Sequence, residues 1–182
     1  MKTLMKWTLR VFVFTSLTFL SLGVTSVALT PEAVQPDLDS DGAVIRVYGA
    51  DVWGIRGRFA IHTWIATKAA GEDKFTLHEI IGWKLRRHHT ALTVTRGRPD
   101  RPWFRSPAIL LHEITGDEAE KLLPEVHEAI YSYPYAESYT MWPGPNSNSF
   151  TEWVSLKVPA LELELPTKAI GRSWMVDNFR SK

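Results

Sequence analysis

At Thr115 the spacing of apolar residues changes from every second position to every third or fourth, which divides the chain into a β half and an α half. Upstream, residues 43–50 and 59–66 have strand character. In the second of these, Phe59, Ile61, Thr63 and Ile65 face one way and Ala60, His62, Trp64 and Ala66 the other. Both faces are mostly apolar, so this segment reads as a central strand covered on both sides. Residues 74–83, 90–95 and 108–114 give a third, fourth and fifth strand, with Gly71-Glu72-Asp73 turning the hairpin between the second and third. Downstream, Thr115-x-x-Glu118 has the spacing of a capping box. Ala119, Leu122, Leu123, Val126, Ala129, Ile130 and Tyr133 then form one helical stripe, which Pro124 is predicted to kink or split. A second amphipathic helix marked by Phe150, Trp153 and Val154 and ended by Pro159, then a last alternating strand at 161–165, complete the pattern. The expectation is an α+β fold, an antiparallel sheet of about five to six strands packed against two or three helices.

The first ten residues carry Lys2, Lys6 and Arg10, and the next nineteen contain no charge. That pattern predicts a signal anchor or signal peptide over residues 1–29, with Ser26-Val27-Ala28 as a candidate cleavage site and an uncleaved anchor slightly favoured. Either form places the rest in the periplasm, at the cell membrane or released from it. Residues 30–42, with Pro31, Pro36 and acidic side chains, read as a tether, leaving one globular domain over residues 43–178. The absence of cysteine excludes disulfides, thiolate catalysis and a lipoprotein anchor. Without Lys2, Lys6 and Arg10 the remainder holds 18 basic and 20 acidic residues, a balance of −2, which argues against nonspecific nucleic-acid binding.

The run Met141-Trp142-Pro143-Gly144-Pro145-Asn146-Ser147-Asn148-Ser149-Phe150 places a stiff turn ahead of a helix. Polar side chains there sit beside unpaired N–H groups and the positive end of the helix dipole. Ser147 is the plausible nucleophile of the run, and His62 on its strand is a candidate base for it. Asn148 and the first helical N–H groups could form an oxyanion site, while Asn146 or Ser147 equally suits a plain helix cap. Five further histidines lack the spacing of a zinc helix, so no metal or other cofactor is expected. Residues 84–105 hold seven Lys or Arg against one Asp, and residues 113–137 seven acids against one Lys. The Arg86-Arg87 pair in the basic stretch could hold anionic headgroups or substrate carboxylates, although a solvated face explains it as well. Of seven tryptophans beyond the leader, Trp142 and Trp64 are expected to line a pocket.

His62-Thr63-Trp64 with Lys68, Gly82-Trp83, Tyr133-Pro134-Tyr135, the run from Trp142 to Phe150, and Ala169-Ile170-Gly171 together resemble a bacterial family known as domain of unknown function three-seven-five-zero. Asn146-Ser147-Asn148-Ser149-Phe150 is also similar, more distantly, to the helix start of circularly permuted NlpC-like and lecithin:retinol acyltransferase-like enzymes. That second resemblance implies a papain-like fold, with Ser147 where the cysteine nucleophile stands, His62 as general base and His78 as the orienting third group. Serine in place of a thiolate leaves two functions in view. One is an envelope module that binds a cell-wall peptide or lipid in an inherited groove, and the other a serine-dependent amidase or esterase.

Overall fold

The computed structural model describes residues 41–179. The leader and almost all of the tether lie outside the described residues. β1 (Val44–Asp51), β2 (Ile61–Lys68), β3 (Phe75–Ile80), β4 (Leu92–Gly97) and β5 (Ile109–Thr115) form one antiparallel sheet in the order β4-β3-β2-β1-β5. The fold is therefore α+β, and β1 and β2, the two segments with apolar residues on both faces, lie in its interior. One helical turn, α1 (Leu85–His88), joins β3 to β4, and α2 (Gly116–Tyr131), α3 (Ser147–Lys157) and α4 (Arg172–Phe179) follow the sheet. Among the described residues no helix is long and apolar enough to cross a membrane.

Two apolar clusters separate the faces of the sheet. Ile45, Val47, Ile61, Ile65 and Ile80 pack with α2 and α3, whereas Tyr48, Trp64, Leu77, Ile81 and Trp103 pack on the opposite side. The period of two makes the assignment strict: Thr63 belongs to the helix side and its neighbours His62 and Trp64 to the other. Thr63 Oγ1 lies 2.9 Å from Thr151 Oγ1 and donates to Asn148 Oδ1 at 3.0 Å, which fixes α3 against β2. The indole of Trp153 donates to Ala129 O at 2.8 Å and ties α3 to α2.

Three local expectations are corrected. Pro124 neither kinks nor splits α2, which runs unbroken from Gly116 to Tyr131 with the exposed proline inside it. Thr115 is the N-cap of α2, but its side chain makes no capping bond; Asp117 and Glu118 face the positive end of the dipole instead. The alternating segment 161–165 is not a strand. Leu161, Leu163 and Leu165 are buried in the helix-side cluster, and a 3-10 turn at Pro159–Leu161 ends with Glu162 at φ 49°. Alternation reports one buried face, and among the described residues no strand pairs with this segment.

Candidate functional site

The Pro-Gly-Pro run holds cis peptide bonds at Trp142–Pro143 and Gly144–Pro145 and delivers Asn146 to the N-cap of α3. Asn146 Oδ1 accepts from the N–H groups of Asn148 at 3.0 Å and Ser149 at 3.1 Å, and Ser149 Oγ accepts from Asn146 N–H at 3.2 Å. This reciprocal capping box satisfies donors that the first turn would leave bare. The amide nitrogens bind outward: Asn146 Nδ2 donates to Met141 O and Ile170 O, and Asn148 Nδ2 to Ile61 O at 3.0 Å and Ile170 O at 2.8 Å. Ser149 Oγ donates to Gly171 O at 2.8 Å. Gly171 has φ +98°, and a Cβ there would collide with the Asn146 amide. Gly144, at φ +143°, would bring a Cβ to 2.7 Å from Ser149 Oγ. Asn146, Asn148 and Ser149 thus serve as a lock between the proline loop, β2 and the 169–171 segment. Asn148 has no side-chain donor left for an oxyanion.

Ser147 is the member of the run that the lock does not consume. Among the described residues its Oγ has no hydrogen-bond partner, and the residue lines a cavity of about 260 Å³ at one end of the sheet. The end of β1, the start of β2 and the end of β3 meet there. Val52, Phe59, Ile61, Ile81, Trp83 and Trp103 make its apolar wall, and His62 lines it as well.

His62 is buried on the side of the sheet away from α3. Its Nε2 lies 3.0 Å from Glu79 Oε2, and Arg101 closes on the second Glu79 oxygen. Its ring stacks on Trp103 with centroids 3.7 Å apart and planes 10° apart. Burial pushes the imidazole below its usual value against the opposing pull of Glu79, so it is neutral at neutral pH. Burial alone would raise the Glu79 carboxyl, but the hydrogen bond from His62 and the charge and hydrogen bond of Arg101 hold it below its ordinary range. An ionised carboxylate only accepts, so the His62 proton sits on Nε2 and Nδ1 carries the lone pair. Among the described residues Nδ1 has no partner, and it is absent from the fully enclosed unpartnered atoms. A base pre-set by a buried carboxylate therefore opens on an apolar cavity.

The expected Ser147–His62–His78 arrangement is not reproduced. Ser147 and His62 border one cavity, yet among the described residues no hydrogen bond joins them. His78 lies on the helix side, since it pairs in register with Ile65. Its Nε2 is 3.1 Å from Thr67 Oγ1, which His127 also contacts at 3.1 Å. Adjacent strand residues point to opposite faces, so Glu79, one position on, takes the place expected of His78. Trp64 is fully buried beneath the site, with its indole donating to Pro99 O at 2.8 Å, and does not line the cavity. Trp142 is exposed and also outside the wall. Trp53, Phe59, Trp83, Trp103, Phe104 and Tyr139 are the aromatic residues that line it instead. Arg86 and Arg87 border a separate depression beside Trp83, with Lys84 and His88. Among the described residues no three His, Asp or Glu side chains gather where they could hold a metal ion.

A family model described as "Protein of unknown function (DUF3750)" matches residues 42–174. The chain belongs to that family. The match spans the sheet, the lock and the cavity, from two residues before β1 to the first turn of α4. No curated protein and no solved structure matches the chain. The DUF3750 chain described here therefore takes its functional reading from the geometry of its own site.

Proposed function

We infer that this DUF3750 protein is an envelope protein that binds a single-chain amphiphile in the His62 cavity, with the acyl chain against the aromatic wall and an O–H or N–H of the head donating to His62 Nδ1. The observation that carries the reading is the buried Glu79–His62 pair, a neutral acceptor among the lining of a mostly apolar pocket. Apolar walls with few placed polar groups are the usual composition of small-molecule sites, and about 260 Å³ lies just below their common range of roughly 300–1,000 Å³. That volume suits one chain rather than a two-chain lipid body. Between the two ligands that the sequence suggests, the apolar wall favours the lipid over a cell-wall peptide. The envelope address rests on the charge-free stretch of residues 11–29.

The test is photoaffinity mapping on the full-length chain with a monoacylglycerol that carries a diazirine in its acyl chain. Adducts on Phe59, Trp83, Trp103 or Phe104 that unlabelled monoacylglycerol displaces support the reading. Adducts scattered over exposed residues and indifferent to competitor contradict it.

A second reading, a serine-dependent amidase or esterase, rests on the free Ser147 Oγ bordering the same cavity as the His62 base. It requires the two to close to hydrogen-bond distance when substrate is present. Labelling by a fluorophosphonate probe that disappears in Ser147→Ala would favour it; the binding reading predicts no such labelling.

A further inference from the structure

We propose that the mouth of the cavity docks on an anionic lipid bilayer, so that ligand enters the His62 cavity from the membrane surface. The proposal rests on the binding reading above for the origin of the ligand, and on two separate features of the rim for the docking itself.

The first feature is exposed apolar surface. Trp53 is 61% exposed, Ile55 75%, Phe59 71% and Phe104 54%, and Trp83, Met141 and Trp142 are exposed beside them. Trp53, Phe59, Trp83, Phe104 and Met141 all line the same cavity, so these residues form one ring and not a scatter. Contiguous apolar patches of this kind mark contact with a partner or a membrane. Phe104 is held outward at conformational cost. The Trp103–Ser106 turn is closed by backbone bonds of 2.9 and 2.8 Å, and its two central residues, Phe104 and Arg105, have φ of 46° and 73°. Asn-Gly is the favoured pair at such positions, and here a large apolar residue and a cation occupy them.

The second feature is charge. Arg56 lines the cavity, Lys84, Arg86 and Arg87 border the depression that shares Trp83 with it, and the segments that supply the mouth, residues 52–59, 81–89, 103–106 and 139–149, together carry these four cations, Arg58 and Arg105 and no Asp or Glu. Among the described residues none of these six is in an ion pair; elsewhere Arg46, Arg96, Arg98, Arg101 and Lys168 are, and Lys74, Lys121, Lys157 and Arg172 are not. The domain as a whole is not basic, so this is a local segregation. Aromatic side chains interleaved with unpaired cations complement the interface of a bilayer with anionic headgroups: the rings enter the headgroup level and the cations remain in the phosphate layer.

The cysteine-free chain permits a direct test on the full-length protein in vesicles. Ile55→Cys on the rim and Glu125→Cys on the exposed face of α2 are each labelled with a nitrobenzoxadiazole fluorophore. Each is then reduced by external dithionite, with the label at 125 setting the outward-facing fraction. In vesicles of phosphatidylcholine with phosphatidylglycerol, the label at 55 is expected to be reduced roughly tenfold more slowly than that at 125. Phosphatidylcholine alone, or combined Arg86→Glu and Arg87→Glu substitution, should remove most of that protection. Equal reduction rates at 55 and 125 in the anionic vesicles overturn the proposal and leave the rim to a protein partner. Photoaffinity mapping in the same vesicles separates the two readings. Cavity adducts without protection at 55 mean binding without docking, and protection without cavity adducts means docking by a protein whose cavity takes no acyl chain.

Discussion

At the scale of single residues, the signature around α3 divides into side chains that build and one that is left over. Asn146 makes two capping bonds and two outward bonds, all buried or partly buried. Asn146→Ala should therefore destabilise the domain by about 3 kcal/mol. Ser147→Ala should change stability by less than about 0.5 kcal/mol, because its hydroxyl holds nothing. Urea denaturation of both variants checks the contrast, and equal losses would mean that Ser147 belongs to the lock. His78 gives a pH signature. Burial, with the nearby His127, pushes it down to about 4 from an unfolded value of 6.5. The unfolded chain then binds the proton that the folded chain refuses, so stability is full above about 6.5 and falls as pH drops toward about 4, by about 3 kcal/mol. Glu79, held below its ordinary range, adds loss at still lower pH. His78→Gln should make the fall between neutral pH and about 4 smaller in denaturation measured across that range, while His62 and His127, also lowered by burial, keep part of it. Residue type and position marked the 146–147 pair as cap or nucleophile but left open which was which; the fold assigns the cap to Asn146 and leaves the Ser147 hydroxyl without a partner among the described residues. Glu79 was passed over, although a carboxylate between Leu77 and Ile81 on an otherwise apolar strand face was the available signal. Which histidine it would meet depends on hairpin register, which residue spacing does not supply.

At the scale of elements, the sheet was readable because its strands are short apolar or alternating runs set between turn signals, and the five strands form close to where those runs predict them. The helical half was less readable for physical reasons. The one-turn α1 is too short to show a period, and α4 buries only Met175, so it lacks an amphipathic stripe. Pro124 was over-read as a breaker because tertiary packing of Leu122, Leu123 and Val126 holds α2 straight around it. Pro124→Ala restores a backbone donor in the helix interior and removes an exposed ring, and it should raise stability by about 1–3 kcal/mol in thermal or urea unfolding. The turn at Trp103–Ser106 makes a sharper point. Replacing Phe104-Arg105 by Asn-Gly relieves two left-handed residues and should stabilise the domain by about 1–3 kcal/mol, while it weakens retention on anionic vesicles. Improved stability with unchanged vesicle binding would show that the turn's residues have no part in docking.

At the scale of the whole molecule, a sheet with two covered faces brings a cap-locked helix and a carboxylate-set histidine to the same end from opposite sides. The cavity between them is mostly apolar, exposed aromatics and cations without ion-pair partners lie on the segments around its mouth, and the partnerless Nδ1 of His62 is its candidate acceptor. The sequence showed both ingredients, His62 and the 141–150 run, but strand alternation placed them on different faces, so they share a cavity without forming a dyad. The account depends most on the state of one ring. Nitrogen-15 NMR of histidine-labelled full-length protein at neutral pH should show His62 with its proton on Nε2 and an unprotonated Nδ1 whose resonance moves when monoacylglycerol is added. A His62 that is cationic, or that carries its proton on Nδ1 and ignores the added lipid, would contradict the claim that this cavity offers a neutral acceptor to an amphiphile's head.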